Sequence, residues 1–395
     1  MPTDTVQRLL GALTDALGGG PAVEPVDSGT PGAPEILRPD DAGAETAVVI
    51  RTSGSSGAPK RTALSVEALA ASSEATARYL RAEGQWLLAL PTHYVAGVSV
   101  LTRSLFAGTQ PVAVDLAERF TPERFVQAAS ALTDRVRMTS LVPTQLQRLL
   151  EDPAPETLAV LQRFDAILVG GGRTPEAVRA AAARHGLRIH LTYGMSETCG
   201  GCVYDGVPLP GVAVCETDGR LSLGGPMVAT GYLGDPERTA AHFGTDADGL
   251  RWFLTDDVGT YIPDPAPTAP PAGALGEYDG GAPDPTTGTG LVTVEGRIDD
   301  VVITGGVKVS AGAVQRVVEA APGAGDALVV GIPDEHWGAV VAFAYTGDAD
   351  GEDLVAAVRA ELGPAAAPKR WKRLPALPLL PNGKPDRQAV LALLA

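Results

Sequence analysis

Val6, Leu9, Leu10, Leu13 and Leu17 recur every three or four residues and stop at Gly18–Gly20, which predicts an amphipathic helix ended by glycines. Residues 18–46 are rich in Gly, Pro, Ala and Asp and read as loop. AVVI at 47–50 predicts a short buried strand. Ser65 can cap a helix from about 66 to 81, and WLLALP at 86–91 predicts another strand. Val95 to Phe106 reads as an apolar helix carrying one cation, Arg103. The clearest unit lies at 164–193: FDAILVGGG is a strand running into three glycines, and LRIHLTYG is a second strand. Between them, Thr174 and Pro175 supply a cap and a first-turn proline for a helix that Gly186 ends. Strand, helix, strand at this spacing predicts a parallel crossover, with ligands beyond the carboxyl ends of the strands, where Gly170–Gly172 and Tyr193–Glu197 fall.

The second half is less regular. Residues 262–290 are dominated by Pro, Gly, Ala and Thr and predict a long, mobile loop between two strands. From about Gly296 the pattern becomes a compact α+β segment: VVITGG, a helix near 311–320, DALVVGIP, a helix near 352–362, and a Pro-rich tail carrying Lys369, Arg370, Lys372, Arg373 and Lys384. No internal repeat is visible.

Composition narrows the function classes. The 395 residues suffice for two or three domains with a well-buried core. Forty-seven acidic against 31 basic residues leave a net charge of −16, which disfavours non-specific nucleic-acid binding. No apolar run reaches bilayer length, and the N-terminus lacks the basic start and apolar stretch of a secretion signal. Three cysteines, Cys199, Cys202 and Cys215, argue against a disulfide framework and for a reducing interior. Cys199 and Cys202 form a C-x-x-C that could be redox-active, half of a zinc site, or two small residues in a tight turn; no second pair accompanies it, which favours the turn.

RTSGSSGAPK at 51–60 has a phosphate-cradling composition: glycines admit an anion to the backbone, and hydroxyls and main-chain N–H groups supply donors. It is not a Walker loop, because Gly54 and Gly57 have the wrong spacing and Pro59 biases Ala58 away from helix. Taken alone, it could equally be a surface turn. Its company decides: TSGSSGAPK at 52–60, YGMSE at 193–197, FLTDDVG at 253–259, GRIDDVVITGG at 296–306 and PNGKPDR at 381–387 occur in that order. Together they resemble the adenylate-forming enzymes (acyl- and aryl-CoA ligases, luciferases and peptide-synthetase adenylation domains) from about residue 47 to the C-terminus.

The resemblance implies an α/β adenylation domain with parallel sheets flanked by helices over 1–298, and a small α+β lid domain over 299–395. It implies ATP, Mg²⁺ and coenzyme A. Thr52, Ser53, Gly54, Ser55, Ser56 and Gly57 would hold the β- and γ-phosphates, with Lys60 either neutralising phosphate or stabilising the loop. Gly170, Gly171 and Gly172 would line the adenine pocket, and Tyr193 would stack on the base within the nucleotide-binding run Tyr193, Gly194, Met195, Ser196. Glu197 would ligate Mg²⁺. Asp257 would accept from the ribose hydroxyls and Arg297 would reach the ribose or phosphates. Asp256 stands where the family has glycine. Lys384, on a stiff loop of Pro381, Gly383 and Pro385, would stabilise the charge that develops when a carboxylate meets the α-phosphate. Asp299 matches the hinge of the lid, and Gly305 and Gly306 would let the pantetheine arm of CoA pass.

His93 in LPTHYVAG matches the mouth of the acid pocket and is counted with Lys384 as catalytic. Arg103 sits among Val98, Val100, Leu101, Leu105 and Phe106, and a buried cation needs a partner: a protein carboxylate, or a second carboxylate on the substrate. THYVAGVSVLTRSLFAG, LVGGGRTP, YGMSETCGGCVYDG and TGGVKVS resemble the short actinobacterial form of the o-succinylbenzoate–CoA ligases of menaquinone biosynthesis, whose substrate is an aromatic dicarboxylate. The few dozen residues before the phosphate loop match that short form, in which much of the usual first subdomain is missing. The resemblance implies a cytoplasmic enzyme; a homodimer, another aryl or acyl acid, a carrier-protein thiol, and a non-catalytic nucleotide-binding regulator stay open.

Overall fold

The computed structural model describes residues 3–27, 36–52, 60–115, 120–263, 290–380 and 385–394, the side chains of Thr3 and Asp299 apart. Most of the 262–290 loop therefore lies outside the described residues, as do Ser53–Pro59 and Lys384. The chain forms two compact units, one of Met1–Cys215, Ser222–Thr255 and Tyr261–Val292, the other of Glu216–Leu221, Asp256–Thr260 and Thr293–Ala395. The second unit thus draws in two short pieces that a single cut at 298/299 would give to the first.

The first unit is built on a seven-stranded sheet, in spatial order Val207–Pro208, Gly200–Tyr204, Ile189–Met195, Ala166–Gly170, Arg137–Leu141, Gln85–Leu88, Val112–Ala113. The five strands from Ile189–Met195 to Val112–Ala113 are parallel, and the first two are antiparallel additions. Side chains alternate across the strands. One face, with Leu87, Leu141, Ile167 and Val169, buries the helices Pro122–Ala129, Pro143–Leu150, Pro155–Leu161 and Glu176–Arg184 through Phe125, Leu146, Leu149, Leu161, Val178 and Ala182. The helix Val95–Phe106 lies over the other face, where Arg103 stands on Trp86. Helices therefore change faces at the strand Gln85–Leu88, which makes its carboxyl end a topological switch point. His93 follows directly from it.

The crossover predicted over 164–193 is present, with Ile167 opposite Ile189 and Gly170 opposite Thr192. Its helix starts one residue later than the cap signal implied: Pro175 is the N-cap and no side chain caps the turn, so Thr174 does not act as predicted. Ser65 does cap its helix, Val66–Leu80, accepting from the Ala68 N–H at 3.1 Å. The stretch AVVI belongs to the strand Thr46–Thr52, which pairs antiparallel with Lys60–Ser65, Thr52 opposite Lys60. The N-terminal helix Thr3–Leu17 buries Val6, Leu9, Leu10 and Leu13 as its spacing requires.

In the second unit Val301–Thr304 and Val307–Ser310 form a hairpin, and Ala324–Asp334 pairs antiparallel along Gly338–Gly347, which Arg370–Arg373 joins in parallel. Helices Ala311–Ala320 and Gly351–Leu362 cover one face, burying Val314, Val318, Leu354 and Val358 against Val329, Val341 and Phe343. The C-terminal helix Arg387–Leu394 covers the other through Val390 and Leu394, against Val330, Ile332 and Ala342. Its Asp386 accepts from the Ala389 N–H, and Leu379 bridges to Pro385.

Candidate active site

At the carboxyl edge of the parallel sheet two strands end in the predicted motifs. Ala166–Gly170 runs into Gly171, whose φ of +81° suits glycine, and into Gly172, where a Cβ would meet nothing within 4 Å. Gly170 has no such room: a Cβ there would stand 2.1 Å from Thr192 Oγ1. The backbone of these glycines is therefore open to a flat ligand on one side and packed on its neighbour strand on the other.

Ile189–Met195 carries Tyr193, Gly194 and Met195 into a single 3-10 turn, Ser196–Thr198. Gly194 is needed because a Cβ would lie 2.0 Å from Gly200 O on the partner strand. Thr198 locks the turn, its hydroxyl accepting from the Met195 N–H at 3.0 Å and donating to Gly200 O at 2.8 Å. Ser99 Oγ donates to Cys199 O at 3.1 Å, tying the same turn to the helix that follows His93.

This turn delivers Glu197, a buried carboxylate. Its Oε1 accepts from the Tyr232 hydroxyl at 2.8 Å, and the Lys60 ammonium sits over the Tyr232 ring, 5.4 Å from its centroid. The strand Gly231–Tyr232 pairs with Lys60–Ser65, Tyr232 opposite Thr62, so one side chain links the end of the serine–glycine loop to the acidic turn. Sequence reasoning missed Tyr232. Its only signal is an aromatic in a short GYLG run, and its role emerges only when the strand pairing is known. Lys60 and Glu197 are brought together around it, and Thr52 pairs with Lys60; the predicted Ser53, Gly54, Ser55, Ser56 and Gly57 lie outside the described residues.

Glu197 fits a hard cation: one oxygen is held by a neutral donor, and carboxylate oxygen is the ligand type Mg²⁺ takes. Among the described residues no group of three His, Cys, Asp or Glu side chains converges as a ready-made ion cage. A cation here would share Glu197 with phosphate oxygens, the usual way a protein holds Mg²⁺.

His93 is half-buried, its ring 4.1 Å from that of Tyr94. Burial lowers its pKa, and the charge of Asp27 opposes that shift without reversing it. The imidazole is therefore neutral at pH 7. Arg103 is not brought to it. Eight residues of helix separate Val95 from Arg103, about 12 Å of rise, and the guanidinium lies on Trp86 at the start of its strand, the edge opposite His93.

Cys199 and Cys202 are buried free thiols. Burial raises both, that of Cys202 to about 12. Cys199 adopts a left-handed φ of +53° at the end of the 3-10 turn, so the pair serves the turn and carries no thiolate at neutral pH.

In the second unit Asp257 is buried, and Arg297 Nη1 approaches its Oδ1 at 3.9 Å. Asp256 is bracketed by two cations, Arg220 Nη2 at 3.0 Å and Arg297 Nη2 at 3.6 Å. The extra carboxylate is thereby compensated. Asp299 lies in the 3-10 turn Ile298–Asp300, whose last residue pairs with Arg387 at 2.8 Å. Gly305 and Gly306 turn the following hairpin at φ +56° and +82°; a Cβ on Gly305 would strike the Trp337 ring at 2.7 Å, while Gly306 is open.

The AMP-binding enzyme profile matches residues 15–237, and the AMP-binding enzyme C-terminal domain profile matches 313–384. A probable 2-succinylbenzoate–CoA ligase of Mycobacterium tuberculosis is 37% identical over 355 residues, covering 88% of this chain and 84% of that one. The 2-succinylbenzoate–CoA ligase of Salmonella typhimurium is 28% identical over 336 residues, covering 82% and 64%. Among solved structures, o-succinylbenzoate CoA synthetase from Bacillus subtilis, in complex with an acyl-adenylate intermediate, aligns with a TM-score of 0.67 at 25% identity, over 90% of this chain and 70% of that one. An amide bond synthetase from Marinactinospora thermotolerans aligns at 0.69 and 27%, over 88% and 69%.

Proposed function

The chain belongs to the AMP-binding enzyme family, and from that premise we propose that it joins 2-succinylbenzoate to coenzyme A at the expense of ATP. The observation that carries the substrate is the 37% identity to the mycobacterial ligase across most of both chains. Two half-reactions follow. A carboxylate oxygen of the acid attacks the α-phosphorus of ATP, and the bond to the bridging oxygen breaks, releasing pyrophosphate and leaving the acyl-adenylate. The CoA thiol then attacks the acyl carbonyl, losing its proton to solvent, and the C–O bond breaks so that AMP departs with the carboxylate oxygen that had attacked phosphorus, the other remaining as the thioester carbonyl. No side-chain nucleophile is needed.

The task proposed for each residue rests on the family motif it matches, and its chemistry suits that task. Thr52, the serines and glycines of 53–57 and Lys60 bind the departing pyrophosphate with hydroxyl, amide and ammonium donors. Gly170–Gly172 and Tyr193 accept the adenine, and Asp257 and Arg297 the ribose and phosphates. Glu197, oriented by Tyr232, would hold Mg²⁺. The ion, when bound, neutralises phosphate charge as the leaving group forms. Lys384 supplies a positive charge at the transferring phosphorus, where two anionic reactants meet. Neutral His93 contributes shape and a hydrogen bond beside the acid without adding charge. Glycines 305 and 306 admit the pantetheine arm. A step that draws on ATP and CoA belongs in the cytoplasm, where both are made.

The decisive experiment is pyrophosphate exchange and thioester formation with a panel of acids. The purified protein is expected to form the thioester from 2-succinylbenzoate, ATP, Mg²⁺ and CoA, and Lys384→Ala to lose about 10²–10³-fold in exchange. Strong exchange with benzoate or fatty acids and none with 2-succinylbenzoate rejects the substrate. Full exchange in Lys384→Ala rejects the role of that lysine.

A further inference from the structure

Arg103 is a buried cation that the proposed reaction does not use. Its side chain is 6% exposed, its Nη2 donates to Tyr204 Oη at 3.2 Å, and its guanidinium lies 5.3 Å from the Trp86 ring centroid. Its Nε finds no acceptor, and among the described residues no carboxylate pairs with it. One phenol and one aromatic face are thin compensation for a buried charge, which ordinarily requires an opposite charge with good hydrogen-bonding geometry.

Arg103 helps line a cavity of about 200 Å³. Ala77, Phe106, Met138 and Trp86 give it mostly apolar walls, and exposed Glu74 and Glu83 stand at its rim. Trp86 and Met138 are early residues of adjacent parallel strands, so the cavity opens at the amino edge of the sheet. His93, Tyr193, Glu197 and Tyr232 do not line it.

We propose that this cavity is a second ligand site, taking a small aromatic monocarboxylate whose anionic end faces Arg103 and whose ring fills the apolar walls. Size, charge and chemistry converge on that class. An apolar cavity of about 150 Å³ admits a benzene ring, so the present one accommodates a ring with one small substituent. A single guanidinium neutralises one negative charge, and the two rim glutamates repel a dianion such as phosphate. A neutral aromatic would leave the cation as it stands. The cavity is separate from His93, Tyr193, Glu197 and Tyr232, none of which lines it.

The test is a ¹⁹F NMR titration of the full chain with 4-fluorobenzoate, with 4-fluorotoluene and inorganic phosphate as controls. Wild type, Arg103→Met and Ala77→Leu are compared, because the acid can also enter beside His93. Ala77→Leu fills the cavity and leaves Arg103 in place, and it decides the question if Arg103→Met fails to fold. The expected result is two bound environments in the wild type, one of which weakens by about tenfold or more in each variant, through loss of a charged hydrogen bond in Arg103→Met and through loss of the cavity space in Ala77→Leu. Identical titrations in all three proteins overturn the proposal and leave Arg103 as a pin between helix and sheet. Equal binding of 4-fluorotoluene, or displacement of the cavity-bound acid by millimolar phosphate, also overturns it.

Discussion

The Tyr232 hydroxyl donates to Glu197 Oε1 at 2.8 Å across 35 positions of sequence, while the same ring lies under the Lys60 ammonium. One side chain thus orients the acidic end of the site and touches its basic end. Tyr232→Phe removes the donor and keeps the ring. A hydrogen bond to a charged group is worth about 1.5–3 kcal/mol, so kcat/KM for Mg-ATP in pyrophosphate exchange should fall roughly tenfold or more, with the circular dichroism unchanged. Wild-type exchange by Tyr232→Phe would show that Glu197 needs no such support.

His93 makes stability depend on pH. Burial lowers its pKa from the ordinary value of 6.5, so the unfolded chain binds a proton there more readily than the folded one. Its contribution is present above pH 6.5 and is lost as pH falls through that value towards the depressed folded pKa. His93→Gln removes the titration. The urea midpoint of the wild type should therefore drop more steeply between about pH 7 and pH 5 than that of the variant. Parallel curves would mean that the imidazole charges as freely in the folded protein as in the unfolded one.

Cys215 is exposed, whereas Cys199 and Cys202 are buried with raised pKa values. Thiolate is the reactive form. Native protein should consume one equivalent of a thiol-reactive disulfide quickly, with Cys215→Ser abolishing that phase, and consume all three only in denaturant. A fast second equivalent from Cys199 or Cys202 would return the C-x-x-C to the list of reactive groups.

The sequence was most informative where local signals agreed. Around 164–193 an apolar run, three glycines and a second apolar run fix strand, helix and strand, and only the cap at Thr174 differs, because Pro175 takes the N-cap position. The strand Lys60–Ser65 was missed because KRTALS is short and half polar, and its partner lies across a loop. The helix Arg387–Leu394 was hidden behind prolines, although Val390 and Leu394 share a face. Arg103 shows the limit of composition: its apolar neighbours correctly implied burial, but direction along the helix, about 12 Å from Val95, decides which edge of the sheet it reaches. Tyr232 had no local signature, since strand pairing alone carries it to Glu197.

Asp256 offers a prediction that composition alone would have reversed. A carboxylate added beside Asp257 should weaken nucleotide binding, yet Arg220 holds it at 3.0 Å and Arg297 approaches it at 3.6 Å. The cation at 220 thus compensates the acid at 256. Removing Arg220 alone leaves Asp256 with Arg297 as its cation and draws that guanidinium away from the ribose and phosphates it is proposed to bind, whereas Asp256→Gly alone leaves an extra positive charge there. Arg220→Ala should therefore raise KM for ATP several-fold, Asp256→Gly should leave it near or below the wild-type value, and the double variant should recover most of the loss. These pairs are partly exposed, so the accompanying change in stability should be no more than about 1 kcal/mol. The coupling is read as the departure from additivity in a double-mutant cycle on kcat/KM for ATP. Additive effects would mean that Arg220 acts on the nucleotide by itself and that the acid beside it is incidental.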